Sequence, residues 1–352
     1  MDKPTVICLT PVRNEAWILE RFLKAASLWA DHIIIADQNS TDGSQAIARK
    51  FPKVILIENN SGPYHEFNRV ELLVGKAREI PGKKLLIALD ADEFFTSNIL
   101  YSPEWQHAIQ SPQGTCLRVQ WIHPLPGLLT AARDERIQYY VGYMDDGADI
   151  RQTRALHNAR LPMPGISHQL FFNDISILHY NLVDTGRDKS KKRWYMCWEL
   201  LNNKNQPFHI NRGYIHHHVL EEPEPFRKEW IEEYAHHGID MTSVSKYAEY
   251  INFEDYGKTD WNFEPVYWWD EAILQWMRDY GPGKFSGLDI WDKDWDSLGK
   301  KKYGDEVNFK RPASLMDRII IRYIRNTPGY RNRPLIKRID KFLAPLLGSG
   351  LK

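Results

Sequence analysis

Short apolar runs alternate with helical patterns through the first hundred residues, and this alternation restricts the fold more than any other feature of the chain. TVICLT at 5–10 is continuously apolar rather than alternating, as a strand covered on both faces is. Residues 15–29 then fit a helix, with Ile18, Phe22, Ala26 and Trp29 near one stripe and Asn14 as N-cap. HIIIA at 32–36 makes a second strand. The polar cluster DQNSTDGS ends it and opens a short helix over 44–50. A third strand at 54–57, a helix over 67–79, a Pro81-Gly82 break and a fourth strand at 84–89 complete the series. Strands separated by single helices imply an α/β fold, with a mostly parallel sheet and right-handed crossovers.

In such sheets ligands bind beyond the carboxyl ends of the strands. Three of the four strand ends carry polar or acidic clusters: PVRNE, DQNSTDGS and DADE. Asp90 and Asp92, two apart at a strand mouth, are hard oxygen ligands suited to Mg2+ or Mn2+, with diphosphate completing the shell. Asp292-Lys293-Asp294-Trp295-Asp296 has the same spacing but no strand before it, and reads as a solvated turn. Asp37 closes the second strand, where a carboxylate can accept hydrogen bonds from a base or ribose. Asp42 is accounted for by helix capping. No G-x-G-x-x-G follows the first strand and no G-x-x-x-x-G-K-[ST] is present, which excludes a nicotinamide or flavin site of that type and a P-loop.

TPVRNEAWILERFL, HIIIADQNSTDGSQAIA and KKLLIALDADEFF, in that order over residues 4–97, resemble the signature segments of family 2-like glycosyltransferases. The resemblance implies a GT-A, Rossmann-like fold, a nucleoside-diphosphate sugar donor, a divalent metal (Mn2+ or Mg2+) and inversion at the anomeric carbon. Carried over by position, Pro11, Arg13, Asn14 and Glu15 line the nucleotide pocket. Asp37 contacts the base or ribose, and Asp90 and Asp92 hold metal and diphosphate. NRVELLVGKARE departs from the family's small-residue run and leaves the donor open. Family members often draw the base from an acidic pair after the metal motif, and Asp145-Asp146-Gly147 is the best match. Asp146 stands ahead of Asp145, Glu199 and Asp184 stand behind both, and a plain Asp-Gly turn is the competing reading. A late histidine completes the metal shell in some GT-A enzymes; His179 fits that role or that of a satisfied buried histidine. His157 and His168 are lesser acceptor-side candidates.

The remainder is read more coarsely. Residues 1–119 form the nucleotide-sugar half, 120–215 a proline-broken acceptor half, and 216–352 a mainly helical extension with helices at 225–237, 266–280, 315–325 and 335–347. GRDKSKKRW at 186–194 is a mobile basic segment that could close over diphosphate, or a solvated charge run. His216, His217, His218, His236 and His237 lack zinc spacing. Of thirteen tryptophans, Trp261, Trp268, Trp269, Trp276, Trp291 and Trp295 crowd one region, either to pack helices or to bind sugar on flat faces.

Basic and acidic residues balance at 46 each, but residues 310–352 hold eleven basic and two acidic, leaving the rest at −9. That tail interleaves cations with isoleucine, leucine and phenylalanine on either side of Pro328-Gly329. It is either a helical hairpin packed on the protein or a pair of interfacial helices in reversible contact with an anionic membrane. Cys8, Cys116 and Cys197 are few, odd in number and scattered, which argues against a disulfide framework. The first residues do not form a signal peptide, no apolar run nears ~18 residues, and the sequons at Asn39 and Asn59 are accidental. The expectation is a cytoplasmic glycosyltransferase, peripheral on the cytosolic face of a membrane, acting on a carbohydrate or lipid-linked acceptor in surface polysaccharide or lipopolysaccharide synthesis. No nucleic-acid partner is expected. Two alternatives stand beside it: a sugar-nucleotide nucleotidyltransferase, and an inactive carbohydrate-binding protein on a GT-A scaffold.

Overall fold

The computed structural model describes residues 3–59, 66–150, 159–162, 168–203, 205–215, 222–243, 266–312, 314–328 and 333–347, apart from the side chains of 134–137. Two compact units divide the chain: 1–184 with 220–249, and 185–219 with 250–352. Thr185 thus opens the second unit.

The first unit opens with β1 (Thr5–Val12), α1 (Ala16–Ala26), β2 (His32–Asp37), α2 (Ser44–Ala48), β3 (Val54–Glu58), α3 (Glu66–Arg78) and β4 (Lys84–Ala88). β5 (Glu93–Phe95), α4 (Pro103–Ile109), β6 (Cys116–Pro124), β7 (Thr130–Met144) and β8 (Gln169–His179) follow. The nine-stranded sheet runs β3-β2-β1-β4-β7-β6-β8-β5, with β9 (Glu224–Pro225) paired to β7. β1, β2, β3 and β4 are parallel to one another, β7 runs against β4, and β5 runs against β8. This is the expected α/β class, a mixed sheet that is mostly parallel at its core and flanked by helices.

The unbroken apolar runs have a direct physical reading. Val6, Cys8, Ile33, Ile35, Leu85 and Ile87 face α1, packing with Ile18 and Phe22. Their neighbours Ile7, Leu9, Ile34, Ala36, Leu86 and Ala88 face α3, packing with Val70, Leu73, Val74 and Ala77. Both faces are covered, so alternation disappears. Asn14 is not the N-cap of α1. It takes a left-handed backbone, φ 55°, and its side chain accepts from the Thr41 amide at 2.8 Å. The first amides of α1 are met instead from the next loop, Glu15 by Ser44 at 2.9 Å and Ala16 by Asp42 at 2.8 Å.

The second unit carries α5 (Thr185–Asn202), α6 (Pro207–Ile215), α8 (Trp268–Tyr280), α9 (Trp295–Tyr303), α10 (Leu315–Arg325) and α11 (Pro334–Leu343), while the short α7 (Glu232–His236) belongs to the first. The helix expected over 225–237 is broken into a 3-10 turn at Lys228–Trp230 and the short α7, after an extended start at Pro225. GRDKSKKRW is likewise not a mobile segment, for it forms half of α5. Arg187 is buried 4.8 Å from the Trp269 ring centroid, and Arg193 binds Asp292 through two bonds of 2.8 and 2.9 Å. Neither can close over a diphosphate. Asp292 is paired with Arg193 while its side chain stays 42% exposed, and Asp294 caps α9 by accepting from Ser297. Trp194 stacks on Trp276, and Trp268 lies against Trp269, so these tryptophans pack helices. Cys8, Cys116 and Cys197 are all buried and free. His157, His216, His217, His218, Trp261 and Gly329 lie outside the described residues.

Candidate active site

Parallel pairing sets the carboxyl ends of β2, β1 and β4 side by side. Val12 pairs with Asp37, and Leu9 with Ala88, so Asp37, residues 13–15 and Asp90 share one edge. With β1 between them, the Asp37 and Asp90 strands are roughly 10 Å apart.

Asp37 is almost fully buried. Its Oδ1 accepts from the Ser40 amide at 3.0 Å and from Gln45 Nε2 at 2.7 Å, which holds the carboxylate still. Its Oδ2 is buried with no hydrogen-bond partner among the described residues. Pro11 and Arg13 flank this edge. Asn14 spends its side chain on the loop, and Glu15 accepts from its own neighbour Trp17 at 2.8 Å.

The second cluster follows β4. Asp92 is 3% exposed and Glu93 fully buried, because β5 starts here and pairs Glu93 with His179. That pairing brings His179 Nε2 to 3.7 Å from Asp92 Oδ1. Trp121 stands edge-on to His179, with ring centroids 4.5 Å apart, and stacks on Tyr139. His123 on β6 is held by Asn181 at 2.9 Å, with its ring centroid 5.3 Å from that of His179.

Arg160 closes the arrangement. Its guanidinium donates to both oxygens of Glu93, at 2.6 and 3.0 Å, and to Asp90 Oδ2 at 3.0 Å. Burial pushes the Glu93 carboxyl up to about 7, with Arg160 pulling against it and the neighbouring aspartates adding to the rise. Burial works against the Arg160 cation too, but Asp90 and Glu93 outweigh it and hold its pKa above the ordinary arginine value. Sequence reading passed over both residues. Glu93 had a signal, being the fourth residue of DADE; Arg160 had none, since 67 residues separate it from its partner.

Asp145 and Asp146 are not part of this site. Met144 pairs with Leu85, and the Asp145 amide donates to the Lys84 carbonyl, so the pair lies at the start of β4. Six residues of extended chain separate Lys84 from Asp90, roughly 20 Å. Asp145 is clamped by Arg78 at 2.8 and 3.1 Å. Asp146 accepts from the Tyr143 hydroxyl, which draws its carboxyl below the ordinary value, and from Ala148. Gly147 has φ 86°, as the turn reading requires. This geometry sets the pair at the opposite end of β4 from Asp90. Glu199 lies in the helical unit, bonded to Tyr214 and Asn205, and His168 is exposed at the start of β8.

Among the described residues no three His, Cys, Asp or Glu side chains are grouped to hold a metal ion. The donors present are nonetheless of the right kind. Asp92 with His179, and Asp90 through the oxygen that Arg160 does not take, suit a hard cation that draws the rest of its shell from diphosphate and water. No helix among the described residues is long and apolar enough to cross a membrane.

Residues 7–141 match the family described as glycosyl transferase family 2. No curated protein matches the chain. Among solved structures, the chain is similar to glucosyl-3-phosphoglycerate synthase from Mycobacterium tuberculosis, a complex with Mn2+, UDP and glucosyl-3-phosphoglycerate. Identity is 16%, coverage 34% of this chain and 44% of that one, and TM-score 0.24. It therefore spans less than half of that enzyme's length. S. aureus TarS 1-349 is similar at 14% identity, covering 93% of this chain and 91% of that one, with TM-score 0.34. A 4-diphosphocytidyl-2C-methyl-D-erythritol synthase is similar at 14% identity over 41% and 76%, with TM-score 0.28.

Proposed function

We propose, from the premise that residues 7–141 form a glycosyl transferase family 2 domain, that this protein moves a sugar from a nucleoside-diphosphate sugar to an acceptor hydroxyl. One observation carries the reading beyond the family: Asp90, Asp92, Glu93, Arg160 and His179 converge at the carboxyl edge of the sheet. Asp37 Oδ2 accepts a hydrogen bond from the base or ribose, and Pro11, Arg13, Asn14 and Glu15 line the nucleotide pocket. Asp90, Asp92 and His179 hold Mn2+ or Mg2+, which when bound neutralises charge on the leaving diphosphate. Arg160 turns part of its guanidinium toward the same diphosphate, as a planar fork suits such oxygens. Transfer proceeds with inversion, to a carbohydrate or lipid-linked acceptor of the cytoplasm, in surface polysaccharide or lipopolysaccharide synthesis.

A nucleotidyltransferase of the glycine-rich-loop kind is disfavoured by residues 13–15 after β1, where no glycine occurs. An inactive carbohydrate-binding scaffold is disfavoured by the intact acidic motif. A thermal-shift panel of UDP-, GDP-, CMP- and dTDP-sugars, with and without Mn2+, tests the reading. A matched donor at a hundredfold excess over Kd adds about 2.7 kcal/mol of stability. Stabilisation by one nucleotide sugar, with slow Mn2+-dependent donor hydrolysis, is the expected result. Binding of a nucleoside triphosphate and sugar phosphate in place of the donor would favour the nucleotidyltransferase. No response to any nucleotide would sink both.

A further inference from the structure

α10 and α11 each have two apolar sides, of which the described residues bury one on α10 and partly cover one on α11. Ile320, Ile321 and Ile324 of α10 are buried in a cluster with Phe208, Ala344 and Leu347, against which Leu343 at the end of α11 also packs. The helix does not turn its remaining apolar residues to that cluster. Leu315, Met316 and Ile319 stand in solvent, Leu315 at 75% exposure. At 100° per residue these three fill one arc, Arg318 and Arg322 fill a second, where Arg325 is already held by Asp289 at 2.5 and 2.8 Å, and the buried isoleucines fill a third.

α11 repeats the pattern. Leu335 and Phe342 are 69% and 72% exposed, with Ile339 beside them, and Lys337, Arg338 and Lys341 occupy the adjoining arc. Neither helix shows an exposed acid. Asp317 is buried, and Asp340 is drawn inward by Arg212 at 2.5 Å and by the Tyr323 hydroxyl at 2.9 Å. The tail is thus packed on the protein through one face while a second, apolar and cationic face is left over. Exposed leucine and phenylalanine side chains clustered this way mark an interaction surface.

We propose that this leftover face of α10 and α11 docks on an anionic lipid surface. The apolar arc enters the headgroup boundary, and the neighbouring arginines and lysines meet lipid phosphates. Two features select lipid over a protein partner. A cationic arc adjoins the apolar arc on each helix, and among the described residues neither helix exposes an acid to pair with a basic partner. The proposal does not rest on the glycosyltransferase reading, although a lipid-linked acceptor is presented at just such a surface.

Co-sedimentation of the full chain with vesicles of phosphatidylcholine alone, or mixed with phosphatidylglycerol, tests it. The protein should bind only the anionic vesicles and leave them as salt rises. Leu315→Gln/Ile319→Gln/Phe342→Gln should weaken binding about tenfold or more, with the melting temperature unchanged, because these side chains touch little else. Arg318→Gln/Lys337→Gln/Lys341→Gln should weaken it similarly and remove the salt dependence, and it serves as a second reporter should the first variant misfold. Equal recovery in the supernatant with both vesicle types overturns the proposal. So does concentration-dependent dimerisation in the ultracentrifuge that the apolar variant abolishes, which would assign the face to a second copy. Binding to duplex nucleic acid as strong as to anionic vesicles overturns it as well.

Discussion

Asp92 owes its burial to β5–β8 pairing rather than to its own loop, so its carboxylate is presented with little freedom. Asp92→Asn keeps the volume and removes the charge. We expect the variant to fold and to lose at least about a hundredfold in sugar transfer, the scale on which one electrostatic group at a developing charge acts. Near-normal turnover in the presence of metal would remove Asp92 from the site. Arg160→Ala leaves the Glu93 carboxylate buried without its cation and should cost about 2 kcal/mol in urea unfolding, as lost charge-assisted hydrogen bonds do. Adding Glu93→Gln should recover part of that loss, and simple additivity of the two changes would show that the pair is not coupled. The place of Asp90 and Asp92 just beyond β4 was readable from sequence because a strand end marks itself. Arg160 was not, because its role comes from a contact that no local pattern encodes. The placement of Asp145 and Asp146 was hidden for a related reason: the spacing of an acidic pair along a chain says nothing of the direction in which the strand before it runs.

Elements were legible where a local pattern and the tertiary environment agree. The parallel strands announced themselves because both faces are buried, and α10 was read to its true limits, Leu315–Arg325, because polar and apolar residues alternate with helical period. α5 was misread because its arginines look solvated until Asp292 and Trp269 arrive from distant segments to cover them. The sheet also contains a constraint that no hydrophobic pattern would reveal. A Cβ on Gly142 of β7 would meet Leu117 Cδ1 at 2.6 Å and Ile87 Cδ1 at 2.9 Å, the side chains of the strands on either side. Gly142→Ala should therefore destabilise the protein by about 1–3 kcal/mol through overpacking, measured by chemical denaturation. An unchanged midpoint would mean that β6 and β4 can shift to make room.

At the scale of the whole molecule, a formal charge of zero conceals a division between a basic tail and an acidic remainder at −9. An anionic surface attracts one part and repels the other, so charge alone favours one orientation of approach. The division into two compact units has a further use, through two of the three buried thiols. Cys8 lies in the sheet core of the first unit, where burial pushes its pKa up to about 12, and Cys197 lies in α5 of the second, where burial raises it as well. Both should resist maleimide while the protein is native, since a reagent needs an accessible thiolate. Each thiol then becomes a clock for the opening of its own unit. Alkylation followed by peptide mapping times the two clocks in one sample: matched rates mean that the units open together, and a lag between Cys197 and Cys8 means that one can open while the other stays shut.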